Sequence, residues 1–265
     1  MAIVLDNITY TYGVGTPFEK TALKGISVTI ENGEFLGIIG HTGSGKSTFV
    51  QHLNGLLHPT TGKVMVNGVD VSEKTDEAKH MRHKVGMVFQ YPEHQLFEET
   101  IAEDIAFGPK NLGLDEEEVD RRVREAMAFV GLDYDTYAER SPFHLSGGQM
   151  RRVAIAGVVA MEPDFLVLDE PSAGLDPFGR EEIFDEIIKL HKEKDVTVIL
   201  VSHNMEDISR MANRLIVLDK GQIVLDGKPL DIFNHHRHVL QQVGVDVPPV
   251  SVLIESLRNR SLDVS

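Results

Sequence analysis

Gly40-His41-Thr42-Gly43-Ser44-Gly45-Lys46-Ser47 has the spacing G-x-x-x-x-G-K-[ST], and the apolar run Phe35-Leu36-Gly37-Ile38-Ile39 stands directly before it. A buried strand that opens through a glycine-rich turn into a helix is the setting in which this spacing binds phosphate. Backbone N–H groups converge on the β- and γ-phosphates of a nucleotide only where no Cβ intervenes, hence glycine at 40, 43 and 45, with His41, Thr42 and Ser44 completing the cradle. Lys46 brings a point charge to the phosphate oxygens. The Ser47 hydroxyl suits Mg²⁺, a hard ion that takes oxygen ligands and keeps several waters. Thr48 to Leu56 is expected to continue as a helix whose N-terminus adds free N–H groups and partial positive charge facing the anion. The implied ligand is ATP with Mg²⁺.

A second segment, Phe165-Leu166-Val167-Leu168-Asp169-Glu170, is an apolar strand ending in two adjacent carboxylates, as expected of a buried parallel strand that delivers acids to its C-terminal edge. Asp169 is the expected Mg²⁺ partner. Glu170, one residue further and expected on the opposite face of the strand, is assigned as general base toward an attacking water. Between the two segments, Leu145-Ser146-Gly147-Gly148-Gln149 precedes an arginine pair and the helical run Val153 to Met161, so Ser146 and the glycines form a second helix N-terminus able to hold phosphate. One nucleotide needs only one such cradle.

With these three segments in this order, the chain resembles an ABC-type ATP-binding cassette over roughly residues 1 to 227. The resemblance implies that Ser146, Gly147, Gly148 and Gln149 close over the nucleotide held by the phosphate loop of a partner cassette. It implies that Tyr12, in Tyr10-Thr11-Tyr12, stacks on adenine. Gln90, after the apolar run Val85 to Phe89, would contact Mg²⁺ and the attacking water and sense a membrane partner. His203, after Val196 to Val201, would touch the γ-phosphate. Ser172-Ala173-Gly174-Leu175-Asp176 would link the two composite sites across the dimer. Asn204 stands where an aspartate often follows the histidine.

Within that group the chain is most similar to the ATPase subunits of energy-coupling factor transporters. The phrases Phe89-Gln90-Tyr91-Pro92-Glu93-His94-Gln95-Leu96-Phe97 and Leu145 to Gly157 carry that likeness. The turn Gly13 to Lys20 and Met150-Arg151-Arg152 look like the second of the two paralogous ATPases. The resemblance implies a cytoplasmic, peripheral subunit paired with a second ABC ATPase, a paralogue or another copy. These would sit beneath a transmembrane coupling protein and an integral-membrane substrate-binding protein for vitamins or for cobalt and nickel ions. Leu96 and Phe97, read as exposed, would offer an apolar dock to the membrane partner. Residues 228–265, with Pro248-Pro249 and the apolar Val250 to Leu257, resemble a C-terminal pairing segment. The rival readings are the cassette of a conventional importer and an ATP-gated clamp without a transport role.

Composition agrees with an enzyme subunit whose membrane role is supplied by partners. The 26 Lys and Arg against 41 Asp and Glu give a net charge of -15 over 265 residues, the wrong sign for nucleic acid. Without cysteine there are no disulfides or thiolate metal sites. No apolar stretch is long enough to span a bilayer, and no secretory leader is expected.

Period and punctuation give the organisation. Residues 1 to 39 alternate as strands with turns at Gly13-Val14-Gly15 and Glu31-Asn32-Gly33, and Lys63 to Val66 with Asn67-Gly68 adds a hairpin. Val119, Val123, Met127 and Val130 mark an amphipathic helix with an acidic first turn. Ile183 to His191 is a further helix before a strand, so β and α elements alternate. His235, His236 and His238 are read as a solvated segment, since the run lacks distant paired ligands. The expected fold is an α/β P-loop NTPase (RecA-like) core with an antiparallel β-subdomain, a helical subdomain inserted at about 91–160 between Gln90 and the acidic strand, and a small C-terminal extension.

Overall fold

Two sheets form around the phosphate-loop strand in a computed structural model that describes residues 1–245. β1 (Ala2–Tyr12) and β2 (Lys20–Glu31) pair antiparallel, and β3 (Phe35–Ile39) is buried along its whole length. α1 (Lys46–Leu53), β4 (Thr61–Val66), β5 (Val69–Asp70), α2 (Asp76–His83) and β6 (Val85–Val88) follow. Four helices then intervene: α3 (Ile101–Asn111), α4 (Glu116–Phe129), α5 (Tyr134–Tyr137) and α6 (Gly147–Val159). The chain returns through β7 (Phe165–Asp169), α7 (Pro177–Lys194), β8 (Thr197–Val201), α8 (Met205–Met211), β9 (Arg214–Asp219), β10 (Gln222–Gly227), α9 (Pro229–His235) and α10 (Arg237–Gln242).

The antiparallel sheet has the order β2-β1-β4-β5; the six-stranded sheet has the order β10-β9-β3-β8-β7-β6 and is parallel except for β10, which turns back on β9. Its inner strands read as unbroken apolar runs because both faces are covered. Leu36, Ile38, Val167 and Ile199 point into a core shared with β1, β2 and α1, while Ile39, Leu166, Leu168 and Leu200 point into a core shared with α3, α4, α6 and α7. β3 and β7 therefore end at the same edge of the sheet, and that edge carries the site.

The local departures from expectation have local causes. α1 stops at Leu53 rather than continuing to Leu56, because Asn54 caps it and Gly55 turns left-handed at φ 70. Phe49, Val50 and Leu53 of this helix are fully buried, each worth about 1.5–3 kcal/mol of burial. α6 begins at Gly147, earlier than Val153, because Ser146 and Gln149 form a reciprocal capping box. Glu170 is not on a strand at all: β7 ends at Asp169 and Glu170 adopts φ 54. Strand alternation therefore does not set its direction. Leu96 and Phe97 part company: the extended backbone at Leu96 buries its side chain, while Phe97 stays exposed, edge-to-face on Phe107 at 4.9 Å. The apolar dock read from the sequence thus loses Leu96 and gains Phe107.

α4 follows the sequence reading closely, with Asp115 as its cap and Val119, Val123 and Met127 inward. Ile232, Phe233 and Leu240 seat α9 and α10 on the helix-side core. The apolar segment Val250 to Leu257 and Pro248-Pro249 lie outside the described residues. Among the described residues, no helix is long and apolar enough to cross a membrane, and no three His, Cys, Asp or Glu side chains gather as a metal site.

Candidate nucleotide site

A cleft of about 600 Å³ opens at the shared edge of β3 and β7. Seven separate stretches line it: Tyr12, then Lys20, Thr21, Ala22 and Lys24 of β2, the phosphate loop at Thr42, Gly43, Gly45, Lys46, Ser47 and Thr48, Gln90, the pair Asp169 and Glu170, His203, and Lys220. Of the residues singled out from the sequence, Tyr12, Thr42, Gly43, Gly45, Lys46, Ser47, Thr48, Gln90, Asp169, Glu170 and His203 thus meet in one place.

Gly40, His41 and Ser44 do not line the cleft; they form the underside of the loop. A Cβ on Gly40 would lie 2.3 Å from the Leu218 carbonyl oxygen, so only glycine lets the loop pack on β9. The His41 ring is held by the Thr42 carbonyl at 2.7 Å and by the Asp219 carboxylate at 2.9 Å. Ser44 is fully buried, and its backbone bridges the His41 and Gly221 segments. Gly43, by contrast, has open space at its Cβ position on the cleft side. Lys46 Nζ donates to the Gly40 and His41 carbonyls at 2.7 and 3.1 Å. Burial pulls the ammonium's pKa below its ordinary value, against the attraction of Glu170 and Asp169.

Burial raises the pKa of the Asp169 carboxyl, with Ser47 and Lys46 opposing. Glu170 is pushed up to about 7, first by burial and also by the neighbouring charge of Asp169. His203 Nε2 lies 3.3 Å from Glu170 Oε1 without the alignment of a hydrogen bond, so this oxygen is buried with no partner. Burial and Lys46 lower the His203 pKa, so the imidazole is neutral at pH 7 and the contact is not an ion pair. Asn204 accepts from the Glu206 and Asp207 amides and caps α8, which fixes the turn that presents His203. The asparagine performs the capping that an aspartate would.

Tyr12 shares a hydrogen bond of 3.0 Å between its hydroxyl and Thr48 Oγ1, and its ring sits edge-on to Tyr10 at 4.8 Å. Its place at the cleft wall is therefore tied to the first turn of α1. Ser47, Asp169 and Gln90 bring a hydroxyl, a carboxylate and an amide to the same wall. An oxygen-donor set with few charges fits Mg²⁺ held jointly with phosphate oxygens, and does not fit a soft metal.

Ser146, Gly147, Gly148 and Gln149 do not line the cleft. Gln149 is spent on the capping box and on the Tyr137 hydroxyl at 3.3 Å. Gly147 and Gly148 have nothing within 4 Å of a Cβ built on them, and neither has a positive φ. Two glycines at this helix start are thus not required by this chain's own packing. Sequence reading missed Lys20, Lys24 and Lys220, which line the cleft from a strand and a turn that no spacing rule connects to the loop. The only local signal is Gly221, whose Cβ would meet the Ala22 carbonyl oxygen at 2.3 Å and which marks where the β9–β10 turn presses on β2.

The sequence profile of the ABC transporter family matches residues 23–173. The energy-coupling factor transporter ATP-binding protein EcfA2 of Clostridium perfringens is 56% identical over 265 residues, spanning 100% of this chain and 93% of the relative. Its counterpart in Clostridioides difficile is 51% identical, spanning 100% and 92%. Among solved structures, cbiO1 from Clostridium perfringens, described as part of the ABC transporter complex cbiONQ, superposes with a TM-score of 0.78 at 35% identity, covering 96% of this chain and 98% of that one. A dimeric ATP-binding cassette in a post-hydrolysis state with ADP and Pi gives 0.76 at 32% identity, covering 86% and 98%.

Proposed function

Since the chain belongs to the ABC transporter family, as an ATP-hydrolysing subunit of the energy-coupling factor type, we propose that it powers uptake of a vitamin or transition-metal ion through membrane partners, by closing with a second cassette over two ATP molecules. The observation that carries this reading is the division of the chain into two half-sites. The phosphate loop, acidic pair, Gln90 and His203 share one cleft, while the Ser146 helix start stands apart with its glycines uncovered. Ser146 and those glycines then belong to the nucleotide held by the partner.

Lys46 and the loop amides hold the β- and γ-phosphates. Tyr12 stacks on the adenine. Ser47, Asp169 and Gln90 are the residues to hold Mg²⁺, which supplies positive charge to the phosphate oxygens when bound. Glu170 accepts a proton from the water that attacks the γ-phosphorus, and the bond between that phosphorus and the leaving ADP oxygen breaks, giving ADP and phosphate. A carboxylate with pKa near 7 and an unpartnered oxygen suits that task. His203, neutral and beside Glu170, contacts the γ-phosphate. The exposed Phe97 and Phe107, beyond Gln90, face a transmembrane coupling protein on the cytoplasmic side, so nucleotide-driven closure moves that surface.

Gly148→Asp tests the composite site. The added Cβ has no atom of this chain within 4 Å and a carboxylate suits a helix N-terminus, so thermal stability should be unchanged or higher. Nucleotide affinity of this chain should also stay unchanged, while hydrolysis by the assembled pair falls by about 10²-fold or more, because the charge opposes the partner's γ-phosphate. Wild-type hydrolysis by the Gly148→Asp pair would remove this helix start from the site.

A further inference from the structure

Arg151, in the second turn of α6, is 2% exposed, and its guanidinium joins two other segments to this helix. Nε and Nη2 fork onto the Glu93 carboxylate, at 3.1 Å to Oε2 and 3.0 Å to Oε1. Nη1 donates to the carbonyls of Pro171 at 3.1 Å and Ala173 at 2.7 Å. Glu93 lies in the short turn Pro92–Gln95 that follows Gln90. Pro171 and Ala173 belong to the turn that starts at Glu170, and the Ala173 amide donates to the Glu170 carbonyl at 3.1 Å. An unbroken path of hydrogen bonds thus runs from Glu93 through Arg151 and Ala173 to the backbone of Glu170.

Stability alone is a poor reason for a charge in this position. A buried ion pair is often no better than a packed apolar residue of the same size, because desolvation offsets the attraction. What a planar fork gives, and an apolar side chain does not, is fixed geometry between the groups that it joins. Here those groups are the segment after Gln90, the helix headed by Ser146, and the turn that aims Glu170 with φ 54.

We propose that Arg151 is a positioning residue that ties the Gln90–Glu93 segment to the turn presenting Glu170, so that movement of that segment by a membrane partner changes the aim of the catalytic carboxylate. This rests on the reading of Glu170 as general base. Loss of the fork leaves ATP binding intact and misplaces the base. A misplacement on the order of 1 Å costs about 10²-fold in rate.

The test uses the complex of this chain with its membrane partners, and measures ATP hydrolysis of Arg151→Lys, Glu93→Gln and the double variant, with Glu170→Gln alongside. Arg151→Lys keeps the charge without the fork, and Glu93→Gln keeps the guanidinium, so the measurement does not depend on one fragile variant. Both should lower kcat by about 10- to 100-fold with KM for ATP within about threefold of wild type, and the double variant should be no worse than either single, as for residues acting as one unit. Lowered melting temperatures with wild-type kcat per ATP-binding molecule, or kcat losses that simply multiply in the double variant, would overturn the proposal. An active Glu170→Gln would instead refute the general-base reading beneath it; an inactive Glu170→Gln beside fully active Arg151→Lys and Glu93→Gln would refute Arg151's role alone.

Discussion

Glu170→Gln should still bind ATP but lower turnover by about 10²- to 10⁴-fold, the range for loss of a positioned acid–base group. The amide keeps the size of the side chain and its place beside His203 but takes up no proton. ATP affinity is expected to be unchanged or tighter, since a buried carboxylate next to Asp169 no longer opposes the phosphate charge. The same variant carries a pH signature in the nucleotide-free chain. The folded-state pKa of Glu170, about 7, lies above the ordinary 4.5, so the folded state holds this proton more tightly. Folding stability is therefore lost as pH rises through that window, and the penalty is complete above it. Glutamine removes the penalty, so the variant should melt higher than wild type at pH 8 and about equal to it at pH 4, by on the order of 1–3 kcal/mol once partial exposure is discounted. Unchanged turnover would remove Glu170 from the chemistry, and equal melting at both pH values would deny that burial shifts it.

Lys46→Ala should weaken ATP binding itself, by roughly 10- to 100-fold, the scale of a charge-assisted contact to phosphate. The loop is not expected to collapse. The variant loses the ammonium's bonds to the Gly40 and His41 carbonyls, but Gly40 against β9, the His41–Asp219 pair and the Gly221 amide on the Ser44 carbonyl still hold the loop. Turnover falls as well, because the Lys46 charge favours the ionised forms of Asp169 and Glu170 and its removal leaves them with less to hold them ionised. Titration of the variant with ATP in a calorimeter checks this, and affinity within about threefold of wild type would contradict the phosphate-loop assignment.

Legibility along the chain followed the range of the interactions concerned. β3, α4 and β7 were readable because local period and punctuation set them: Phe35 to Ile39 and Phe165 to Leu168 are buried on both faces, and Asp115 both caps α4 and begins its acidic turn. The phosphate loop was readable for the same reason, as a contiguous motif. The acidic motif led to Glu170 in the cleft but gave the wrong geometry, since its left-handed backbone is set by a turn bonded to Arg151 and β8, both distant in sequence. Leu96 and Phe97 are alike in composition and adjacent, so only the packing of α3 decides which one is buried. Lys20, Lys24 and Lys220 reach the cleft through strand pairing and a turn, and Arg151, behind it, meets Glu93 and the Pro171–Ala173 turn as a buried side chain. A reading based on spacing has no access to either.

As proposed above, this chain is one ATPase of a membrane-bound uptake machine. Affinity purification of the tagged chain from detergent-solubilised membranes of its host, with identification of every co-purifying protein, tests it most directly. A second cassette, one transmembrane coupling protein and a small integral-membrane binding protein, whose bound ligand names the substrate, should be recovered with it. Two conventional transmembrane subunits with a soluble binding protein, or a dimer with no membrane protein at all, would contradict it.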